Sequence, residues 1–434
     1  MLALLLFFTI ATGVFASPIV NTWRKPARYL LQLKNPMTME SLCLQDDKVQ
    51  SANHVRSGIR KVFSFGQFEG MVGEFTKDVI QRLADNPLVA RISPDITVKT
   101  ADYSTQYNAP NHLVRLSQDG PIENDDDNEY FYDSNLLGRG VNVYIIDTGV
   151  FVEHPEFEGR ALLGPNYSND ARHIDYVGHG THVAGIAASK TYGVAKKAQI
   201  ISIKTLDHNG QGSLSSVIAG LEYAVNHRAE AEKPGVANLS LGAARSTILD
   251  AAIEAAVESG LLIIAAAGNS NIDACRTSPA GSTNAISVGA INDVKDKIAS
   301  FSNWGHCVDI FSSGVDVKSV SNNPYDFGQS KQMSGTSMAS PVVAGIAAQL
   351  LGNGTSMIDI RGEITRLAIS GSIPRTSLLL RPGSPNKIAN TGVRQWDVYQ
   401  KAKSISHNST LINGYKKIQV SGKEMEHTLA ALQK

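Results

Sequence analysis

The sequence predicts an α/β protein of three layers, a mostly parallel sheet between helices, preceded by a small α+β unit. Three observations carry this expectation. Runs such as 141–146 and 260–267 are apolar without alternation, as strands buried on both faces are. Segments with apolar residues three and four apart separate these runs, as crossover helices do. The chain has 434 residues, more than one average domain, which leaves room for a second unit.

The elements follow in chain order. Residues 1–16 form an apolar run ending in Val14, Phe15 and Ala16, the small-residue pattern of a signal peptide cleaved after Ala16, although no Lys or Arg precedes it. A membrane span needs about 20 apolar residues, so this run is too short and no later one suffices. The expected product is secreted, into the medium or a lytic compartment. Residues 28–100 make the α+β unit: 29–35 and 90–99 read as strands, 54–63 and 76–85 as helices. A polar stretch over 100–111 follows. The acidic run 123–129 reads as a solvated loop rather than a metal site.

From Val141 onward, strands are expected at 141–146, 199–204, 236–241 and 260–267, and helices at 179–189, 213–231 and 246–259. In such a sheet, ligands bind beyond the carboxyl ends of the strands. Residues 393–434 lose this rhythm; 393–404 and 423–433 could form amphipathic helices, and no chemistry is visible in this tail.

Lys plus Arg (40) equal Asp plus Glu (40), which removes the electrostatic footprint of a nucleic-acid or anionic-membrane binder. Recognition must work through a groove or pocket. Of the three cysteines, Cys43 falls in the α+β unit. Cys275 and Cys307 are either a disulfide or two small buried hydrophobes.

Four residues stand where strands stop or helices start. Asp147 ends the first buried strand, where a carboxylate is a cap or an acceptor that orients a histidine. His179 opens a small-residue helix between Gly178 and Gly180. His182, three positions on, is better explained as packed than as a metal ligand, because zinc wants three or four ligands and no further ones are evident. Ser337 stands at the start of an apolar helix within 333–351, with Pro341 near its first turn, and is a cap or a nucleophile placed where the helix dipole favours negative charge. Asn269 follows a buried strand and is a turn former or a donor aimed at an oxyanion.

Taken together, Asp147-Thr148-Gly149, the GHGTHVAG segment around His179, AAGN up to Asn269 and GTSMASP around Ser337 resemble the signature segments of the subtilisin superfamily. Segments 107–110, 204–212, 238–242, 273–280 and 301–311 are similar to its proteinase K and cerevisin branch. The resemblance spans about residues 104–392, and 28–100 resembles the family's inhibitory propeptide.

That resemblance implies a subtilisin-like fold and a serine endopeptidase made as a zymogen. Ser337 would be the nucleophile, His179 the general base, and Asp147 its orienting partner. The Asn269 amide and the Ser337 N–H would form an oxyanion hole, where one lost donor costs about 10²–10³ in rate. Protein or peptide substrates would bind as an added strand between Gly210 to Gly212 and the segment Ser240, Leu241, Gly242. Small walls at Ala266, Ala267 and Gly242 imply a broad preference for large apolar or aromatic residues. The alternatives are a kexin-like processing protease, whose pocket needs acidic residues not visible here, and an inert adhesin or coat protein on the same fold. The triad histidine in GHGTH disfavours a carboxyl-type serine protease.

No cofactor is needed for catalysis, and a monomer is expected, inhibited by its own propeptide until cleavage between about Lys99 and Ser104. A structural calcium would be held by the Asp309 carboxylate and the carbonyls of Thr283 and Ala285. Cys275 and Cys307 match the cysteine pair of the cerevisin type, which implies a disulfide. Val183 stands at the free cysteine of proteinase K, so no thiol dependence follows. Sequons occur at Asn166, Asn238, Asn353 and Asn408, of which Asn238 lies in a buried strand and is a poor acceptor.

Overall fold

The continuous apolar runs become the middle of a ten-stranded sheet, in a computed structural model that describes residues 27–34, 57–66, 68–95, 103–122 and 128–394. The signal peptide, Cys43, the 99–102 part of the maturation site, most of the acidic run and nearly all of the tail lie outside the described residues. The chain divides into two units, 1–97 and 98–434.

In the first unit, β1 (Ala27–Leu33), β2 (Ile59–Phe65), β3 (Phe68–Phe75) and β4 (Val89–Pro94) form an antiparallel sheet in the order β2-β3-β1-β4. Helix α1 (Lys77–Ala84) packs Val79 and Leu83 against Leu31, Leu33, Met71 and Phe75. The helix expected over 54–63 is corrected here: its described part is mostly the strand β2. Phe65 pairs with Phe68 across a two-residue hairpin loop that contains Gly66 at φ 56°. Most β2 side chains are exposed, so the apolar spacing had no helical face to bury, and the open ladder of β3 decided the conformation.

In the second unit, β5 (Asn142–Asp147), β6 (Ala161–Asn166), α2 (His179–Ala188), β7 (Gln199–Lys204), α3 (Leu214–Glu230) and β8 (Gly235–Leu239) come first. After them come β9 (Ala243–Ala244), α4 (Thr247–Glu258), β10 (Leu262–Ala266), β11 (Thr277–Ser278), β12 (Ile286–Asn292) and β13 (Ile310–Ser313). Helices α5 (Thr336–Gly352) and α6 (Ile360–Leu367) close the series. The strands order as β13-β12-β10-β8-β5-β7-β6, every neighbouring pair parallel, with two-residue strands extending the β13 edge.

Alternation along β5 explains the layers. Val143 and Ile145 face Val183 and Ile186 of α2 and Val342 and Ile346 of α5. Tyr144 and Ile146 face Val217 and Leu221 of α3 and Leu249 and Ile253 of α4. Both faces are therefore core, and each fully buried aliphatic side chain there contributes about 1.5–3 kcal/mol. Ser213 and Ser246 cap α3 and α4 through the N–H groups of Ser216 and Leu249. Because β5, β8 and β10 run parallel, Asp147, Leu239 and Ala266 end on one rim of the sheet. Among the described residues, no helix is long and apolar enough to cross a membrane.

Candidate active site

Asp147 ends β5 fully buried, and its Oδ1 accepts the His179 Nδ1–H at 2.7 Å and the Thr148 N–H at 2.7 Å. Strand end and helix start meet this closely because position 180 carries no side chain: a Cβ there would stand 2.0 Å from the Gly149 carbonyl oxygen. Gly178, at φ 80°, lets the chain turn into α2 where a Cβ would strike the Asn322 side chain. The imidazole is 19% exposed, so one edge is open to a reacting group. Burial pulls its pKa down, but the Asp147 carboxylate outweighs this and leaves it above the ordinary value.

Ser337 is the second residue of α5, so its N–H belongs to the first turn, whose donors lack intrahelical acceptors. Its hydroxyl donates to the Ser240 carbonyl at 3.2 Å, at the end of β8, and no hydrogen bond joins it to His179 among the described residues. Rotation of one side-chain torsion separates this rest position from others, and such bonds are often long or unformed without substrate. Four residues on, Pro341 has no N–H, which leaves the Ser337 carbonyl without its helical partner. The Ser240 hydroxyl supplies the missing bond at 2.9 Å and is itself held by Asn238 Nδ2 at 2.8 Å. The start of α5 is thus tied to the end of β8.

The orientation of the Asn269 amide follows from its neighbours. Its oxygen accepts the Thr336 N–H at 2.8 Å and the Thr336 hydroxyl at 2.9 Å, and that hydroxyl accepts the Gly268 N–H. The Asn269 nitrogen is therefore left as the free donor. Asn269 and Ser337 line one cavity of about 580 Å³ with Leu241, Gly242, Ala266 and Ala267. The strand pair β9 and β11 adds Ala243, Ala244, Thr277 and Ser278 to its wall.

The structure brings Asp147 to His179 and Ser337 to Asn269, and ties Ser337 to Ser240. Gly210 and Gly212 lie on an exposed segment after β7, Gly210 at φ 72° with nothing near its Cβ position. His182 is buried with Nε2 against the carbonyls of Val317 and Lys331, and burial lowers its pKa to about 4. Cys275 and Cys307 form a disulfide. Asn238 is fully buried and bonded to Ser240 and Ser340.

The expected calcium ligands are already engaged by a side chain. Asp309, Thr283 and Ala285 do present converging oxygens, but the guanidinium of Arg361 fills the space between them: Nη1 donates to Asp309 Oδ1, and Nη2 donates to the carbonyls of Thr283 at 2.9 Å and Ala285 at 2.8 Å. A set whose oxygens already accept from a cationic side chain does not fit calcium as well.

Three further residues that the sequence reading did not single out build the site, although Lys204 and Arg276 fall in the similar segments 204–212 and 273–280. Asp175, 5% exposed, accepts from the Thr148 hydroxyl, the Gly178 N–H, the Thr181 N–H and the Thr181 hydroxyl, bracing both sides of His179. Lys204, fully buried at the end of β7, donates to the Thr148 carbonyl at 2.7 Å and pairs with Asp170. Arg276 lines the cavity and is its charged wall residue. Each is an isolated polar residue whose role arises only from convergence.

Residues 138–377 match the subtilase family of peptidases, and residues 32–101 match the peptidase inhibitor I9 family. The chain is 37% identical over 410 residues to the subtilase-type proteinase RRT12 of Saccharomyces cerevisiae, covering 85% of this chain and 83% of that one. It is 43% identical over 302 residues to cerevisin of the same yeast, covering 68% of this chain and 47% of cerevisin. Over 422 residues it is 37% identical to a cuticle-degrading serine protease of Arthrobotrys oligospora, covering 90% and 98%. The solved structure of a cold-adapted subtilisin-like serine proteinase superposes with a TM-score of 0.59 at 40% identity, covering 65% of this chain and 98% of that one. A half-chain family match, with relatives aligned over most of their length, establishes that this protein belongs to the subtilase family of serine endopeptidases, made as a zymogen with an I9 propeptide.

Proposed function

We propose that Asp147, His179 and Ser337 are the catalytic triad and that the enzyme cleaves peptide bonds through an acyl-enzyme. The Ser337 hydroxyl leaves the Ser240 carbonyl, passes its proton to His179 Nε2 and attacks the substrate carbonyl carbon. The carbonyl π electrons move onto oxygen, where the Asn269 Nδ2–H and the Ser337 N–H receive them. His179 returns the proton to the leaving amine as the tetrahedral adduct collapses to an ester, and a water molecule repeats the sequence to release the acid. Asp147 fixes the Nδ1–H tautomer and stabilises the imidazolium. The 2.7 Å bond from His179 to a fully buried Asp147 carries this reading.

The substrate strand lies between Gly210 to Gly212 and Ser240 to Gly242, with its side chain before the scissile bond in the cavity beside Asn269. Apolar walls at Leu241, Ala266 and Ala267 favour large apolar or aromatic residues. Among the cavity-lining residues there is no carboxylate and there is Arg276, so Arg or Lys substrates meet a like charge and a kexin-like preference is opposed. Maturation cuts between Lys99 and Ser104, the catalytic domain runs from 104 to 392, and the enzyme acts as a secreted or lytic-compartment monomer.

A serine-reactive fluorophosphonate probe tests the assignment. The mature enzyme takes up one label and loses activity, whereas Ser337→Ala yields a folded, uncleaved precursor with neither label nor turnover. Labelling or normal turnover in Ser337→Ala would refute it.

A further inference from the structure

In the second unit, the oxygens that resemblance offers to a metal ion converge on a side chain instead. Asp309 precedes β13, and its Oδ2 accepts the Ser287 N–H of β12 at 2.8 Å, which leaves Oδ1 for another partner. Oδ1 meets the Thr283 and Ala285 carbonyls just before β12, and the guanidinium of Arg361 bonds all three oxygens. Arg361 is the second residue of α6, whose Ile360 and Ile364 are buried in the core under the sheet. The helix is anchored by those two residues, so the charge is delivered to a fixed point.

A guanidinium offers five N–H donors in one plane and is charged throughout the accessible pH range. Calcium would need the same oxygens at about 2.3–2.6 Å from its centre and with their lone pairs free. The Nη2 distances of 2.8 and 2.9 Å are those of hydrogen bonds, and the two occupants exclude each other.

We propose that Arg361 is a tethered replacement for a structural cation. It pins the loop before β12 and the start of β13 to α6 without any metal, and it masks a latent calcium site made of Asp309, Thr283 and Ala285. The lock holds whatever the calcium concentration around the enzyme, which a bound ion in a partly exposed site would not do.

Calcium binding and thermal unfolding of the full-length precursor test this, with Ser337→Ala in every sample to prevent self-digestion. Removing the guanidinium in Arg361→Ala is expected to lower Tm by about 2–4 °C in chelator. Millimolar calcium restores most of that loss, and titration shows one more calcium equivalent than in the parent. The extra equivalent disappears in the double variant Arg361→Ala, Asp309→Asn. Equal calcium stoichiometry in the parent and Arg361→Ala overturns the proposal. If Arg361→Ala cannot be recovered, Asp309→Asn alone decides. Its Tm loss is equal in chelator and in calcium if Arg361 is the cation, and larger in calcium if a metal is. None of these outcomes depends on activity, so they stand apart from the triad assignment.

Discussion

Replacing Asp175 by Asn changes one atom type at the point that braces the proposed triad. Its two carboxylate oxygens accept from four donors at 2.6–2.8 Å: the Thr148 hydroxyl and Gly178 N–H on Oδ1, and the Thr181 N–H and hydroxyl on Oδ2. An amide keeps one acceptor oxygen. The threonine hydroxyl left facing the new NH2 can rotate and accept, but the backbone N–H beside it cannot. One charge-assisted bond is lost at about 1.5–3 kcal/mol and one buried N–H is stranded at about 1–3, so the variant should lose about 2.5–6 kcal/mol. The Thr148 hydroxyl also accepts the Gly180 N–H at 2.9 Å, so the strain passes to both neighbours of His179. A displacement near 1 Å there would lower kcat/KM by about 100-fold. Urea unfolding of the Ser337→Ala precursor with and without Asp175→Asn measures the first quantity, and a peptide anilide assay of the mature enzyme measures the second. A stability loss under about 1 kcal/mol together with unchanged kcat/KM would show that Asp175 does not hold the site.

Two further outcomes follow from titrating groups. In the proposed mechanism His179 must be neutral to accept the Ser337 proton, and its pKa is raised because Asp147 outweighs burial, so kcat/KM should fall as pH drops through a value above the ordinary 6.5. In Asp147→Asn burial is no longer outweighed, with Asp175 still raising the value a little and Lys331 lowering it, so the acid limb moves to lower pH and kcat falls by on the order of 10⁴; an unmoved limb in the pH profile of kcat/KM refutes the pairing. Lys196, buried beneath Tyr130 and Tyr132, has its pKa lowered by burial to about 7, against 10.5 for an ordinary lysine. Between those values the unfolded chain binds more protons, so stability should rise with pH. Lys196→Met removes that slope and raises Tm most below neutrality, and Tm curves for the two proteins that run parallel across pH would contradict it.

The middle of the sheet was readable because strands buried on both faces carry mostly apolar residues, so 141–146, 199–204 and 260–267 stood out as apolar runs. Helices α2, α3 and α4 were readable from spacing, and the structure adds the caps Ser213 and Ser246. The α+β unit was harder. Strand β3 contains Gly70 and Gly73, which look like breakers, yet a Cβ at Gly73 would stand 2.3 Å from the Phe75 ring and one at Gly70 2.7 Å from the Leu31 carbonyl oxygen. These glycines make room for neighbours and do not end the strand. Without β3 in view, the residues that pair with it were read as a helix.

The site divides the same way. Where two backbones approach closely, as at Gly180 against Gly149, only glycine fits, and that exclusion leaves a motif in the sequence. The polar side chains that hold the backbones in place obey no such exclusion: Asp175, Lys204 and the Ser240 hydroxyl each work through a partner at least 27 residues away. Nothing local marks them. Arg361 shows the limit of resemblance for the same reason, because the oxygens expected around a metal were all present and the residue that displaces it sits 52 positions from Asp309. A ligand set can be carried from a family to a chain, but its occupant depends on every side chain that can reach it, and the fold alone decides which those are.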